Sequence, residues 1–446
     1  MAYDTGYKQR LQTVPHAGGV FGADVDPGIG GLGGSPDGPL NIVHVFWIAG
    51  MSCDGCSIAA SGATNPSVED LLLGRIPNLP KVVLHHPVLS PGAGAEFIRP
   101  FHAAVNGTLG APYVVVLEGS VPDDQSFPTE YGYFSAMGAG GFDPHSETHQ
   151  PNRVSDWLWK LAPGAAAYVA IGTCASWGGI PAAAGNITGS MSLSDFLGKD
   201  YRSALGVPVV NVPGCSPVGD NFTETVAAVL LFLQNLGPLP KFDELGRPAW
   251  LFEETVHRHC PKAGYYEEGV FAHEPGDNQC LVEIGCWGPV VQCNIVERGA
   301  INHMGGCMVA GGACIGCTMP GFPDKFSPFY KSAPGSAISG TTSRITGGAI
   351  RRLRRISMAG GNRTPLWDNA GEVASGWGRV PAPKNPATKV NAFFYKKLQY
   401  SGSVNHAKRN KHQPLPQSRD ILRQKGIDMQ ASVDVLQEHL VTREEL

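Results

Sequence analysis

Seven of the eleven cysteines in this 446-residue chain fall between His257 and Cys317. The stretch opens with His257-Arg258-His259-Cys260 and continues with Cys280, Cys286, Cys293, Cys307, Cys314 and Cys317. Thiolates at this density, separated by Gly and Pro, suit a chain that wraps soft metal rather than apolar surface. The remaining cysteines are Cys53, Cys56, Cys174 and Cys215, each beside glycines. By position the ligands divide into three sets of four. The first is Cys53, Cys56, Cys174 and Cys215. The second is His257, Cys260, Cys280 and Cys286, and the third is Cys293, Cys307, Cys314 and Cys317. Eleven cysteines and one histidine fill these sets with no thiol left over. Zinc is the rival for every set, because four cysteines, or three cysteines with one histidine, are also structural zinc patterns, and either short Cys pair alone fits a dithiol equally well. The wide spacings favour iron-sulfur clusters.

The elements that would position the first set are short apolar runs. They are Ile42 to Ile48, Val82 to Leu89, Tyr113 to Leu117, Ala166 to Ile171 and Val207 to Val212. Long connections between them predict a parallel sheet with crossover helices. Cys53 and Cys56 follow the first run, Cys174 the fourth and Cys215 the fifth. All four are thus expected at carboxyl ends of strands, which line one crevice in an open parallel sheet. A helix is expected from Thr223 to Leu236, stopped by Gly237-Pro238. The cysteine-rich stretch shows no strong secondary-structure pattern of its own.

Composition sets the frame. A hydrophobic content of 42% can fill an ordinary core, while 58 Gly and 36 Pro point to many turns. No window is apolar enough to span a membrane, and the N-terminal residues have no export-signal layout. A cytoplasmic location is the default expectation, and a reducing compartment favours thiols as metal ligands over disulfides. The net charge of −4 conceals an asymmetry. Residues 1–325 carry 15 Lys+Arg against 30 Asp+Glu, a net of −15, and residues 326–446 carry 19 against 8, a net of +11. The expected organisation is a Gly/Pro-rich arm (1–40), a sheet domain with the first set (41–222), a domain with the second and third sets (223–326), and a basic extension (327–446). The Arg351-Arg352-Leu353-Arg354-Arg355 run has no aromatic platform beside it, so a charged docking face is expected rather than nucleic-acid binding. His85-His86 reads as packing and hydrogen bonding.

In order, CxxC, GTCA, PGC, HxxC, a Cys pair six apart, and CIGC before Pro320-Gly321-Phe322-Pro323-Asp324 resemble the small, electron-transferring subunit of NiFe hydrogenases. Glu118-Gly119-Ser120-Val121-Pro122 is similar to that family's EGxxP segment, and the resemblance covers roughly residues 41 to 326. It implies a flavodoxin-like domain with a proximal cluster on the first set, and a small irregular domain with a medial cluster on the third set and a distal, His257-ligated cluster on the second. It further implies a large partner subunit that holds the NiFe site and, as expected here, an oligomer of heterodimers. Many relatives have proline where Cys307 stands and a three-iron medial cluster, so Cys307 predicts that all three clusters are 4Fe-4S. Asp54 stands inside the first CxxC, and oxygen-exposed relatives use an aspartate at the proximal cluster. Asp54 is therefore a candidate ligand, beside its reading as a solvated turn carboxylate. The whole pattern resembles the actinobacterial-type branch. A self-contained iron-sulfur carrier or metal-structured scaffold is the alternative. The related complex I subunit shares the sheet but carries one cluster.

Overall fold

The computed structural model describes residues 41–124, 132–142, 150–198, 200–330, 332–333, 340–349 and 352. The N-terminal arm, most of the arginine run and the rest of the basic extension lie outside these residues.

The chain forms two compact units, one with residues up to Pro248 and one beginning at Ala249. In the first, strands β1 (Ile42–Ala49), β2 (Lys81–His85), β3 (Tyr113–Glu118), β6 (Ala167–Ile171) and β7 (Val210–Val212) pair in parallel. A separate antiparallel pair, β4 (Ala136–Ala139) and β5 (Pro151–Arg153), lies between β3 and β6 in the chain. The order β2-β1-β3-β6-β7 is that of a flavodoxin-like doubly wound sheet, with the switch point between β1 and β3.

These strands read as unbroken apolar runs because both faces are covered. Side chains alternate by strand period. Phe46, Ile48, Val115, Leu117 and Tyr168 enter one core. Val43, Val45, Trp47, Val114, Val116 and Val169 enter the other. The connections supply α1 (Gly55–Ser61), α2 (Val68–Leu72), α3 (Gly94–Val105), α4 (Val154–Leu161), α5 (Gly172–Trp177), α6 (Leu193–Leu197) and α7 (Gly219–Leu233). In α4 the buried Val154, Trp157, Leu158 and Leu161 have the i, i+3, i+4, i+7 spacing of an amphipathic helix.

Helix α7 straddles the boundary expected at 222/223. Its Phe222, Val226, Val229, Leu230 and Leu233 pack into the second core of the sheet, so that helix belongs to the first unit. Strand β2 ends at His85, short of the expected Leu89, because Pro87 cannot donate to a ladder.

The second unit has short helices α8 (Ala249–Phe252), α9 (Val256–His259), α10 (Ala263–Glu267) and α11 (Ile295–Arg298), and a helix at 340–349. Its core joins Leu281, Trp287, Val290, Val291, Val296, Met319, Phe322 and Phe326 to Cys286 and Cys314. Helix 340–349 is tied to this unit by Arg344, which pairs with Glu283 at 2.6 Å and lies 5.6 Å from the Phe271 ring centroid. Among the described residues no helix is long and apolar enough to cross a membrane.

Candidate metal centres

The parallel sheet gathers the first set. Cys53 and Cys56 lie on the turn from β1 into α1, Cys174 lies in α5 directly after β6, and Cys215 follows β7. The last two loops are stitched together by Thr173, whose N–H donates to Gly214 O at 3.0 Å and whose hydroxyl accepts from Gly214 N at 3.0 Å. Burial pushes the Cys56 thiol up, and the charges of Glu118, Cys174, Cys53 and Cys215 push it further. Cys174 is pushed up to about 11, again mainly by burial. Four thiols from three strand ends thus share one electrostatic neighbourhood. Cys53 and Cys215 remain exposed.

Glu118 ends β3 at the switch point, and its side chain is what sequence reasoning missed, having read only the segment around it. It is 1% exposed. One oxygen accepts the N–H groups of Cys56 (2.9 Å) and Ser57 (3.2 Å); the other accepts the Trp47 indole N–H at 3.0 Å and the Ser57 hydroxyl. Ser57 Oγ also meets His86 Nε2 at 2.8 Å. Because His86 Nδ1 accepts from Val88 and Leu89 N–H, Nε2 is the protonated nitrogen of the neutral ring. His85 pairs with His44 at 2.8 Å. The two adjacent histidines are thus hydrogen-bonded within the sheet unit. Asp54 adopts a left-handed backbone (φ 59°) as the residue before α1, but its side chain does not cap that helix.

In the second unit the two neighbouring histidines part. His259 Nε2 bonds Glu254 at 2.8 Å. His257 has its ring against Tyr266, centroids 4.7 Å apart, and its Nε2 is buried with no hydrogen-bond partner among the described residues. Burial lowers its pKa to about 4, so the imidazole is neutral and free to ligate. It lines a small cavity together with Cys260, Cys280, Cys286 and Lys262. Burial pushes Cys260 up to about 12, and Cys280 well above its ordinary range.

Cys314 belongs electrostatically with Cys317 and Cys293 of the third set, but also with Cys286 of the second. Its N–H donates to Cys286 Sγ at 3.2 Å, so the two sets share a wall. Cys307 is exposed, and the thiol whose pKa it raises is Cys286.

The residues fit iron-sulfur ligation. Thiols this deeply buried are neutral by themselves and become thiolates when a metal supplies the charge. Backbone N–H groups already aim at the sulfurs: Ile180 at Cys174, Lys262 at Cys260, Val282 at Cys280, Gly288 at Cys286 and Gly316 at Cys314. Such bonds stabilise clusters and tune them. At Gly172 (φ +84°) a Cβ would strike Cys56 Sγ, so the backbone there lies directly against a candidate ligand.

Residues 53–229 match the family "NADH ubiquinone oxidoreductase, 20 Kd subunit", and residues 252–330 match the C-terminal family of the NiFe/NiFeSe hydrogenase small subunit. The periplasmic [NiFeSe] hydrogenase small subunit of Desulfomicrobium baculatum is 33% identical over 315 residues, covering 68% of this chain and 95% of that one. Hydrogenase-2 small chain of Escherichia coli K12 is 34% identical over 336 residues, covering 70% and 81%. This chain belongs to the NiFe hydrogenase small subunits. A solved actinobacterial-type NiFe-hydrogenase from Ralstonia eutropha H16 contains a chain 47% identical to this small subunit, with a TM-score of 0.68 over 78% of it and 96% of the other. The expected resemblance to that branch therefore holds in sequence and in fold. The sheet unit alone carries the match shared with the NADH oxidoreductase subunit, and the second unit carries the hydrogenase-specific match.

Proposed function

We propose that this small subunit relays electrons between a large subunit holding the NiFe site and an external acceptor, through three 4Fe-4S clusters. Cys53, Cys56, Cys174 and Cys215 hold the proximal cluster. Cys293, Cys307, Cys314 and Cys317 hold the medial one, and His257, Cys260, Cys280 and Cys286 the distal one. The observation that carries the reading is the convergence of the first set from three strand ends, within a chain whose second unit matches the hydrogenase family. Oxidation of H2 releases two electrons and two protons. This chain's part is the electrons, since its eleven cysteines are all taken up by the three sets and none remains to ligate nickel. Exposed Cys53 and Cys215 leave the proximal set open on one side, as a partner-covered cluster requires. Asp54 is left as a flanking carboxylate beside the four thiols.

The test is purification of the subunit from fractionated cells. The expected product is a complex with a nickel-containing large subunit, recovered with the cytoplasmic fraction, carrying about four irons per set and eluting as an oligomer of heterodimers. A lone chain without nickel would favour a self-contained carrier, and zinc in place of iron would end the cluster reading. For the medial set, Cys307→Pro is expected to lose one iron and gain the EPR signal of an oxidised three-iron cluster. If the unaltered protein already shows that signal, Cys307 is not a ligand.

A further inference from the structure

Among the described residues that line the cavity of the second set, Lys262 carries the amine. The side chain lines the same small cavity as His257, Cys260, Cys280 and Cys286. Its position is fixed from both ends. The backbone N–H of Lys262 donates to the sulfur of Cys260, and Nζ donates to the Asp277 carbonyl at 2.5 Å. That carbonyl belongs to a pinned turn, in which the Asp277 carboxylate accepts the N–H groups of His273 (2.8 Å) and Glu274 (3.2 Å). The lysine is half-buried, and its charge is felt by Cys280 and Cys286 as well as by Cys260. The neighbouring side chains of Arg258 and His259 are engaged by Glu254. Among the described residues, Lys262 is thus the amine that lines the donor set itself.

We infer that Lys262 is a positioning and potential-setting residue for the His257-ligated cluster, holding an ammonium beside it so that the relay's outer end is the more easily reduced. The inference rests on the assignment of His257, Cys260, Cys280 and Cys286 to a cluster. Taking up one electron makes that cluster one unit more negative in a pocket of low dielectric. A fixed positive charge stabilises the reduced form more than the oxidised form. The neutral imidazole acts in the same direction, having replaced an anionic thiolate. At the first set the ionisable group that acts on Cys56 and Cys174 is Glu118, a carboxylic acid rather than an amine, and Asp54 beside Cys53 is another, so the two sets have neighbours of opposite type. A lysine suits this role because its flexible stem runs along the cavity to the Asp277 carbonyl while its own N–H anchors Cys260.

The experiment is an EPR-monitored redox titration of the purified heterodimer carrying Lys262→Met or Lys262→Arg, with iron and nickel measured on the same samples. Lys262→Met keeps the stem and the N–H and removes the charge. It should lower the midpoint potential of the His-ligated cluster by about 60 mV, a tenfold change in the reduced-to-oxidised ratio at fixed potential for one electron, with iron content unchanged. Lys262→Arg should stay near the parent value. An unchanged midpoint in Lys262→Met, or an equal fall in Lys262→Arg, overturns the inference. Loss of iron in the Met variant would also overturn it, by showing that the side chain holds the pocket together rather than charging it. Absence of any such cluster signal from the unaltered heterodimer would instead reject the cluster assignment.

Discussion

Gly172→Ala should strip the first cluster from the small subunit and leave the other two in place, lowering iron from about twelve to about eight per chain. Gly172 follows β6 directly and has φ +84°, where an L-residue costs roughly 1–2 kcal/mol. That cost alone is tolerable. The decisive effect is steric, because the new methyl would occupy the space of Cys56 Sγ, while Gly214 O at 3.5 Å stays in ordinary contact. The thiol must shift to make room, and moving it breaks the donor set. Gly206→Ala is the control. Gly206 has φ +73° and, among the described residues, nothing within 4 Å of where the methyl would stand, so it should carry the same backbone strain and lose no iron. Iron analysis with EPR of the purified heterodimer decides the matter. Full occupancy in Gly172→Ala would mean that Cys56 is not a ligand.

Glu118→Leu should be still more damaging. The carboxylate accepts two backbone N–H groups, an indole N–H and a hydroxyl while almost fully buried. An apolar side chain leaves those donors unpaired, at about 1–3 kcal/mol each. The sum is several kcal/mol, against the roughly 5–15 kcal/mol by which domains are stable. Little intact heterodimer is expected, and what is recovered should lack the first cluster because Cys56 and Ser57 lose the group that holds their turn. Glu118→Gln should be milder. Its carbonyl still serves the Cys56 and Ser57 amides, but its NH2 faces the Trp47 N–H, donor against donor. The measurable order is Leu worse than Gln worse than unaltered, in yield, in iron and in the temperature at which Trp fluorescence changes. A Leu variant with normal yield and iron would show that the turn is held by the cluster alone.

The strands were legible because a sheet covered on both faces writes itself as short unbroken apolar runs; Ile42–Ala49 and Tyr113–Glu118 are little different from their sequence boundaries. The boundary at 222/223 was not legible. Helix α7 looks the same whether its apolar side meets the sheet or another unit, and only its place in the second core of the sheet, with Phe222 against Trp47, decides. The sorting of His257 from His259 by geometry likewise depends on Glu254, which engages one of them, and on the ring of Tyr266, which lies against the other.

By itself, the sequence determined the types and number of the candidate ligands, their three groups, the parallel sheet and the family resemblance. These depend on local composition, on spacing and on order along the chain. The tertiary structure decided which charges stand beside those ligands. Glu118 lies 62 residues from Cys56 in sequence and 2.9 Å from its N–H in space. Lys262 is two residues from Cys260, yet its amine is held by Asp277, fifteen residues on. Hydrogen bonds and electrostatic neighbourhoods depend on distance through space, and the chain order does not encode that distance until the fold closes it.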